Sequence, residues 1–158
     1  MIRRRYASRV TRAKLSGRLD LDRATYDALI AHARSDVPYE VCGLLASSNG
    51  RVARHYVIPN AARSMTFYTM EPKALLRAMH EIDDKEWDLL AIYHSHTHTE
   101  AFPSRTDVEL ATYPDTAYLI VSLQEPDAPV IRAFDIRDGA ISERMLTVDG
   151  EEAPVGRR

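Results

Sequence analysis

Leu89-Leu90-Ala91-Ile92-Tyr93-His94-Ser95-His96-Thr97-His98-Thr99-Glu100-Ala101-Phe102-Pro103-Ser104-Arg105-Thr106-Asp107 opens as an unbroken apolar run and closes on a cluster of metal-binding side chains. Five consecutive apolar residues from Leu89 to Tyr93 predict a strand buried on both faces, the pattern of a sheet covered by helices on each side. The polar cluster begins where that strand should end, a usual place for functional residues on a rigid support. Side-chain direction in a strand repeats every two residues, so His94 and His96 project to one side. Two imidazoles at that spacing can reach one Zn²⁺, and a carboxylate from the next element would complete three protein ligands. Three ligands leave a fourth position for water, the layout of a catalytic zinc site. A lone His-x-His pair is weak by itself, and Ser104-x-x-Asp107 also has a structural reading as the capping box of a helix.

Outward from this stretch, the chain alternates strands and helices. Leu15, Leu19 and Leu21 suit a short strand, and Asp22 can cap a helix with Tyr26, Leu29, Ile30 and Ala33 on its apolar face, ending by Pro38. Val41–Ala46 and Val52–Ile58 flank Asn49-Gly50, and Val130–Ile136 and Ala140–Leu146 flank Asp138-Gly139; both pairs predict hairpins. Pro72 suits a first helical position ahead of Leu75, Leu76, Met79 and Ile82. Tyr118–Leu123 reads as another buried strand, and Arg105 to about Tyr113 as a helix. The expected organisation is one α/β domain over residues 14–148 with a mixed central sheet, a mobile basic arm over 1–13 and a flexible tail over 149–158.

Composition narrows the function. A net charge of −2 gives no general attraction to nucleic acid, and no apolar run is long enough to cross a bilayer. The basic N-terminus lacks the apolar stretch of a secretory signal, so a cytoplasmic protein is expected. Cys42 is the single cysteine, which excludes an intrachain disulfide and a cysteine-rich metal site.

Glu40 stands at the mouth of the apolar strand Val41-Cys42-Gly43-Leu44-Leu45, a costly place for a carboxylate unless it is solvated or paired. With it, the chain resembles the JAMM (MPN+) metallopeptidase family. That family's pattern is a glutamate in an E-x-C-G-[LI]-L-like context, followed by H-S-H-x(7)-S-x-x-D. Here Glu40, Cys42-Gly43-Leu44-Leu45, His94-Ser95-His96, Ser104 and Asp107 stand at the required spacing. The resemblance covers roughly residues 20–147 and implies a single JAMM/MPN, cytidine-deaminase-like domain. It also implies one Zn²⁺ on His94, His96 and Asp107, Glu40 as general acid/base, and Ser104 beside the developing oxyanion. Thr97 departs from the proline that many members carry after the second histidine; it is no ligand position, but the loop path is affected.

Thr97-x-Thr99-Glu100-Ala101, and Asn60-Ala61 followed by Thr66-Phe67-Tyr68, are similar to the bacterial Mec(+)-type branch. Members of that branch release cysteine or another amine-linked group from the C-terminal Gly-Gly of a small ubiquitin-like sulfur carrier. The resemblance therefore implies such a carrier as substrate, with removal of ubiquitin-like modifiers from proteins as the alternative. A homodimer through an apolar surface of the first helix is compatible with the pattern.

Rival readings fail on particular residues. The cupin core His-x-His-x3-Glu fits His94, His96 and Glu100, but its flanking glycines would fall near Asp88 and Asp107. Zinc deaminases need a Cys-x-x-Cys that one cysteine cannot provide. An amidohydrolase barrel needs roughly 250 residues. A non-catalytic MPN scaffold typically lacks the glutamate, histidines or aspartate present here, and RadC-like relatives carry Asn between the histidines. His98 is expected in solvent, Cys42, Tyr93 and Phe67 in packing, and His32, His55 and His80 at the surface without ligand partners nearby.

Overall fold

A computed structural model describes residues 17–156 of the chain; the basic arm of residues 1–13 and Leu15 lie outside them. The elements run β1 (Arg18–Leu21), α1 (Arg23–Ser35), β2 (Cys42–Ser48), β3 (Arg51–Ile58), α2 (Pro72–Asp84), β4 (Asp88–His96), α3 (Arg105–Leu110), β5 (Ala117–Ser122), β6 (Val130–Arg137), β7 (Ala140–Val148) and β8 (Glu151–Glu152). The strands form one mixed sheet in the order β1-β7-β6-β5-β4-β2-β3, with β8 paired to β7. β4 and β5 are parallel at its centre, as are β1 and β7 at one edge; the other main pairings are antiparallel.

Local chemistry sets these boundaries. The Asp22 carboxylate accepts the Thr25 N–H at 2.7 Å and caps α1. Glu71 accepts from the Lys73 and Ala74 N–H groups and caps α2, whose first residue is Pro72 as the sequence predicts. Asn49 and Asp138 both take positive φ, each followed by a positive-φ glycine, the backbone of tight hairpin turns. Helix α3 stops three residues short of the expected Tyr113. Its successor Pro114 disfavours helix at Tyr113, whose N–H turns to the Tyr118 hydroxyl at 3.0 Å. Strand β8 lies in the segment expected as a flexible tail. There Asp149 N–H donates to the Leu21 carbonyl, Gly150 N–H donates to the Asp20 carboxylate, and Ala153 is buried.

Two cores sandwich the sheet. Helix α1 supplies Tyr26, Leu29 and Ala33 to one, together with Val41, Leu45, Ala91, Tyr93, Leu119 and Val121. Helix α2 supplies Ala78 and Ile82 to the other, with Cys42, Leu44, Ile92, Tyr118, Ile120 and Phe134. Ile92 therefore points toward α2 and Tyr93 toward α1, so the two-residue period sends His94 and His96 to the α2 side. No helix among the described residues is long and apolar enough to cross a membrane.

Phe67, expected in the core, is 41% exposed. On the α1 side, His32 and His55 correct the expectation of surface histidines, being half-buried. The Tyr93 hydroxyl lies 2.6 Å from His32 Nδ1 and 2.6 Å from His55 Nε2. A phenol can donate to one ring nitrogen and accept from the other, so one hydroxyl ties α1 to the edge strand β3. Burial, then the neighbouring His55, lowers the His32 pKa to about 4, with Asp36 opposing. An unfolded histidine titrates near 6.5. Between these values the unfolded chain binds more protons, so stability falls as pH drops from about 6.5 to about 4. His32 is only half-buried, and screening reduces its share to on the order of 1 kcal/mol. Urea midpoints at pH 7 and pH 4.5 should differ less in His32→Gln than in wild type; equal differences would clear His32 as the source.

Candidate metal centre

The site forms where β2, β4 and α3 meet. Cys42 pairs with His94 and Gly43 with Tyr93 across antiparallel β2 and β4, so continuing the register sets Glu40 opposite His96. Ser95 faces away from the site. Its N–H donates to the Val41 carbonyl, and its hydroxyl accepts the Val41 N–H at 2.9 Å, holding the Glu40 segment against β4. Helix α3 then delivers Asp107 from the other side through a capping box. Ser104 Oγ accepts the Asp107 N–H at 3.1 Å, and the Ser104 N–H donates to Asp107 Oδ2 at 2.8 Å. The capping reading of Ser-x-x-Asp holds, and the carboxylate that caps the helix also faces the histidines.

His94 Nε2 lies 3.1 Å from His96 Nε2 and 3.2 Å from Asp107 Oδ1, and His96 Nε2 lies 3.0 Å from Asp107 Oδ2. His96 Nδ1 is 2.8 Å from the Glu100 carbonyl, which can only accept, so this nitrogen carries the proton. In the neutral ring Nε2 is then a bare lone pair aimed at a carboxylate oxygen and at a second imidazole nitrogen. Ligand atoms of Glu40, His94 and His96 all fall within 4.8 Å of one another. Glu40 is 1% exposed, and its Oε1 has no hydrogen-bond partner among the described residues. Acceptors converging in a buried space suit a divalent cation with nitrogen and oxygen ligands, and the residues present fit Zn²⁺.

The electrostatics differ across that donor set. Burial lowers the His94 pKa and keeps it neutral, as a ligand must be, although Asp107 opposes. Burial acts the same way on His96, but contacts with Asp107 and the Glu100 carbonyl raise it overall. Burial alone would raise Asp107; its close contacts with the His94 and His96 imidazoles outweigh this and hold the carboxyl far below the usual range. Burial pushes Glu40 up to about 7, with His96 opposing and Asp107 reinforcing. Two carboxylates in one pocket thus differ, one held ionised and one poised near neutrality.

The residue set matches a known family. The sequence pattern of "Prokaryotic homologs of the JAB domain" spans residues 22–137. This chain belongs to the JAB (JAMM/MPN) family. Among JAB relatives, it is 45% identical over 124 residues to the CysO-cysteine peptidase of Mycobacterium tuberculosis, covering 77% of this chain and 85% of that one. It is 37% identical over 114 residues to the desampylase of Haloferax volcanii, covering 68% and 82%. The solution structure of protein DSY2949 from Desulfitobacterium hafniense superposes with a TM-score of 0.73 at 34% identity, covering 82% and 92%. The expected mixed sheet between helices is the fold of this JAB domain.

Of the residues singled out in the sequence, Glu40, His94, His96, Ser104 and Asp107 come together. His98 does not join them: it is exposed, and its Nδ1 lies 2.8 Å from Thr97 Oγ1. Cys42 is fully buried, its thiol donating to the Ile58 carbonyl, and burial lifts its pKa to about 12. Tyr68 and Asn60, noted in the sequence only as points of likeness, touch the site. The Tyr68 ring stacks on His94, and Asn60 Nδ2 donates to the Glu40 carbonyl. Neither contact has a sequence signal of its own, because both arise from the fold of an irregular connection.

Proposed function

We propose that this chain is a zinc-dependent peptidase acting on the amide bond after the C-terminal Gly-Gly of a small ubiquitin-like sulfur carrier, releasing cysteine or a similar amine, in the cytoplasm. The observation that carries the proposal is the convergence of His94, His96 and Asp107 beside a buried Glu40 whose Oε1 has no hydrogen-bond partner among the described residues. Its occurrence in a chain 45% identical to a protein named CysO-cysteine peptidase supports the choice of substrate.

In this reading His94, His96 and Asp107 hold one Zn²⁺, which supplies a Lewis acid that acidifies water and polarises the scissile carbonyl. Glu40 takes the water proton at Oε1 and returns it to the leaving amine. A carboxylate with a pKa near 7 suits both halves of that exchange. Ser104 uses its oxygen as acceptor for the Asp107 N–H, which leaves its own O–H to donate to the oxyanion.

The 37% identity to a desampylase favours a second reading, an isopeptidase that removes ubiquitin-like modifiers from proteins. One experiment separates them. The zinc-loaded protein is given a carrier ending in Gly-Gly-Cys and the same carrier joined through Gly-Gly to a protein lysine. Preferential release of free cysteine supports the first reading, and preferential cleavage of the lysine conjugate supports the second. Cleavage of neither by folded, zinc-loaded protein would overturn both.

A further inference from the structure

A histidine that ligates a metal ordinarily donates its other ring N–H to a carboxylate, carbonyl or water, which fixes the tautomer and the ring plane. His96 obeys this rule through the Glu100 carbonyl at 2.8 Å. His94 does not: its Nδ1 is buried without a hydrogen-bond partner among the described residues. The Tyr68 ring instead lies almost flat on its imidazole, with centroids 4.6 Å apart and planes 27° apart.

Tyr68 belongs to the connection between β3 and α2, whose only regular pairing among the described residues is the bridge of Asn60 with Met70. Such a segment orients a ring only if it is itself held. Asn60 holds it with its whole amide: Oδ1 accepts the Ala62 and Thr69 N–H groups at 3.1 and 3.0 Å. Its Nδ2 donates to the Phe67 carbonyl at 3.2 Å and to the Glu40 carbonyl at 3.0 Å. The Glu40 N–H in turn donates to the Ser64 carbonyl at 2.9 Å. One segment therefore grips the backbone of Glu40 on both sides and presses an aromatic ring on His94.

We propose that residues 60–70 form a positioning strap, in which Tyr68 holds the plane of His94 by stacking on it and Asn60 locks Tyr68 and Glu40 into one unit. Both are positioning residues, acting through His94 and Glu40. The inference rests on the metal-site reading given under Proposed function and extends it to residues outside the ligand set.

The test compares wild type with Tyr68→Phe, Tyr68→Leu and Asn60→Ala. Zinc affinity is read by chelator competition, and coordination geometry by the visible absorption of the Co²⁺-substituted protein. Tyr68→Phe keeps the ring and should stay within about twofold of wild type. Tyr68→Leu should weaken zinc by about 10–100-fold, the usual effect of losing a ligand's orienting partner, and alter the Co²⁺ bands. A folded leucine variant with wild-type affinity and spectrum overturns the proposal, as does a phenylalanine variant as impaired as the leucine one. If Tyr68→Leu does not fold, Asn60→Ala decides: ligands intact, it should alter the Co²⁺ bands, and an unchanged spectrum overturns the strap. A wild type that takes up neither ion overturns the metal reading itself, a result distinct from a wild type and leucine variant that bind metal equally.

Discussion

On the proposed zinc-peptidase reading, Glu40→Gln should keep the fold and the metal and lower turnover by roughly 10²–10⁴, the usual contribution of a general acid/base. Oε1 has no hydrogen-bond partner among the described residues, and the segment is held through the Glu40 backbone by Ser64 and Asn60. Replacing a buried ionisable group with a neutral amide of the same shape lowers the desolvation cost, so the melting temperature should hold or rise. The pH profile adds a second readout. Burial lifts Glu40 to about 7, and a cation in the site would draw it lower. The base form is lost as pH falls, so kcat/KM should drop about tenfold per pH unit on an acid limb at or below pH 7. That limb should be missing from the residual activity of the glutamine variant. Zinc retained with turnover retained would remove Glu40 from the proton-transfer role.

Much of this arrangement was legible because its candidate ligands follow regular elements. The period of two along β4 puts His94 and His96 on one side, and the capping spacing brings Asp107 back to them. Both rules are local, so residue order reveals them. Glu40 was legible in kind, as a carboxylate entering an apolar strand; its place opposite His96 depends on the β2–β4 register, a long-range fact. Tyr68 and Asn60 lie in a segment without periodicity, where contacts follow from a hydrogen-bond pattern that spacing does not encode. The His32–Tyr93–His55 bridge was missed for the same reason. It joins residues from a helix, a central strand and an edge strand, each unremarkable on its own element.

Gly43→Ala should be the most destabilising single-methyl addition on this face of the sheet, and the reason is space. Gly43 lies opposite Val57 on β3 and Tyr93 on β4. A Cβ there would collide with the Tyr56 carbonyl oxygen and with Cε1 and the hydroxyl of Tyr93. The carbonyl belongs to the sheet backbone and cannot turn aside. The ring is fully buried, and its hydroxyl is held at 2.6 Å by both His32 and His55, so moving it sacrifices two hydrogen bonds. Overpacking typically costs about 1–3 kcal/mol, and each lost hydrogen bond adds about 1 kcal/mol. A total of about 3–5 kcal/mol is a large share of an ordinary domain's stability and should lower the melting temperature by about 10 °C or more. Tyr93 adjoins His94, and Cys42 beside Gly43 pairs with His94, so zinc content should fall as well. Adding Tyr93→Phe should not rescue the variant, because the Tyr56 carbonyl and the ring remain in the way. A Gly43→Ala protein that melts with wild type and keeps its zinc would mean that Tyr93 does not cross Gly43 as described.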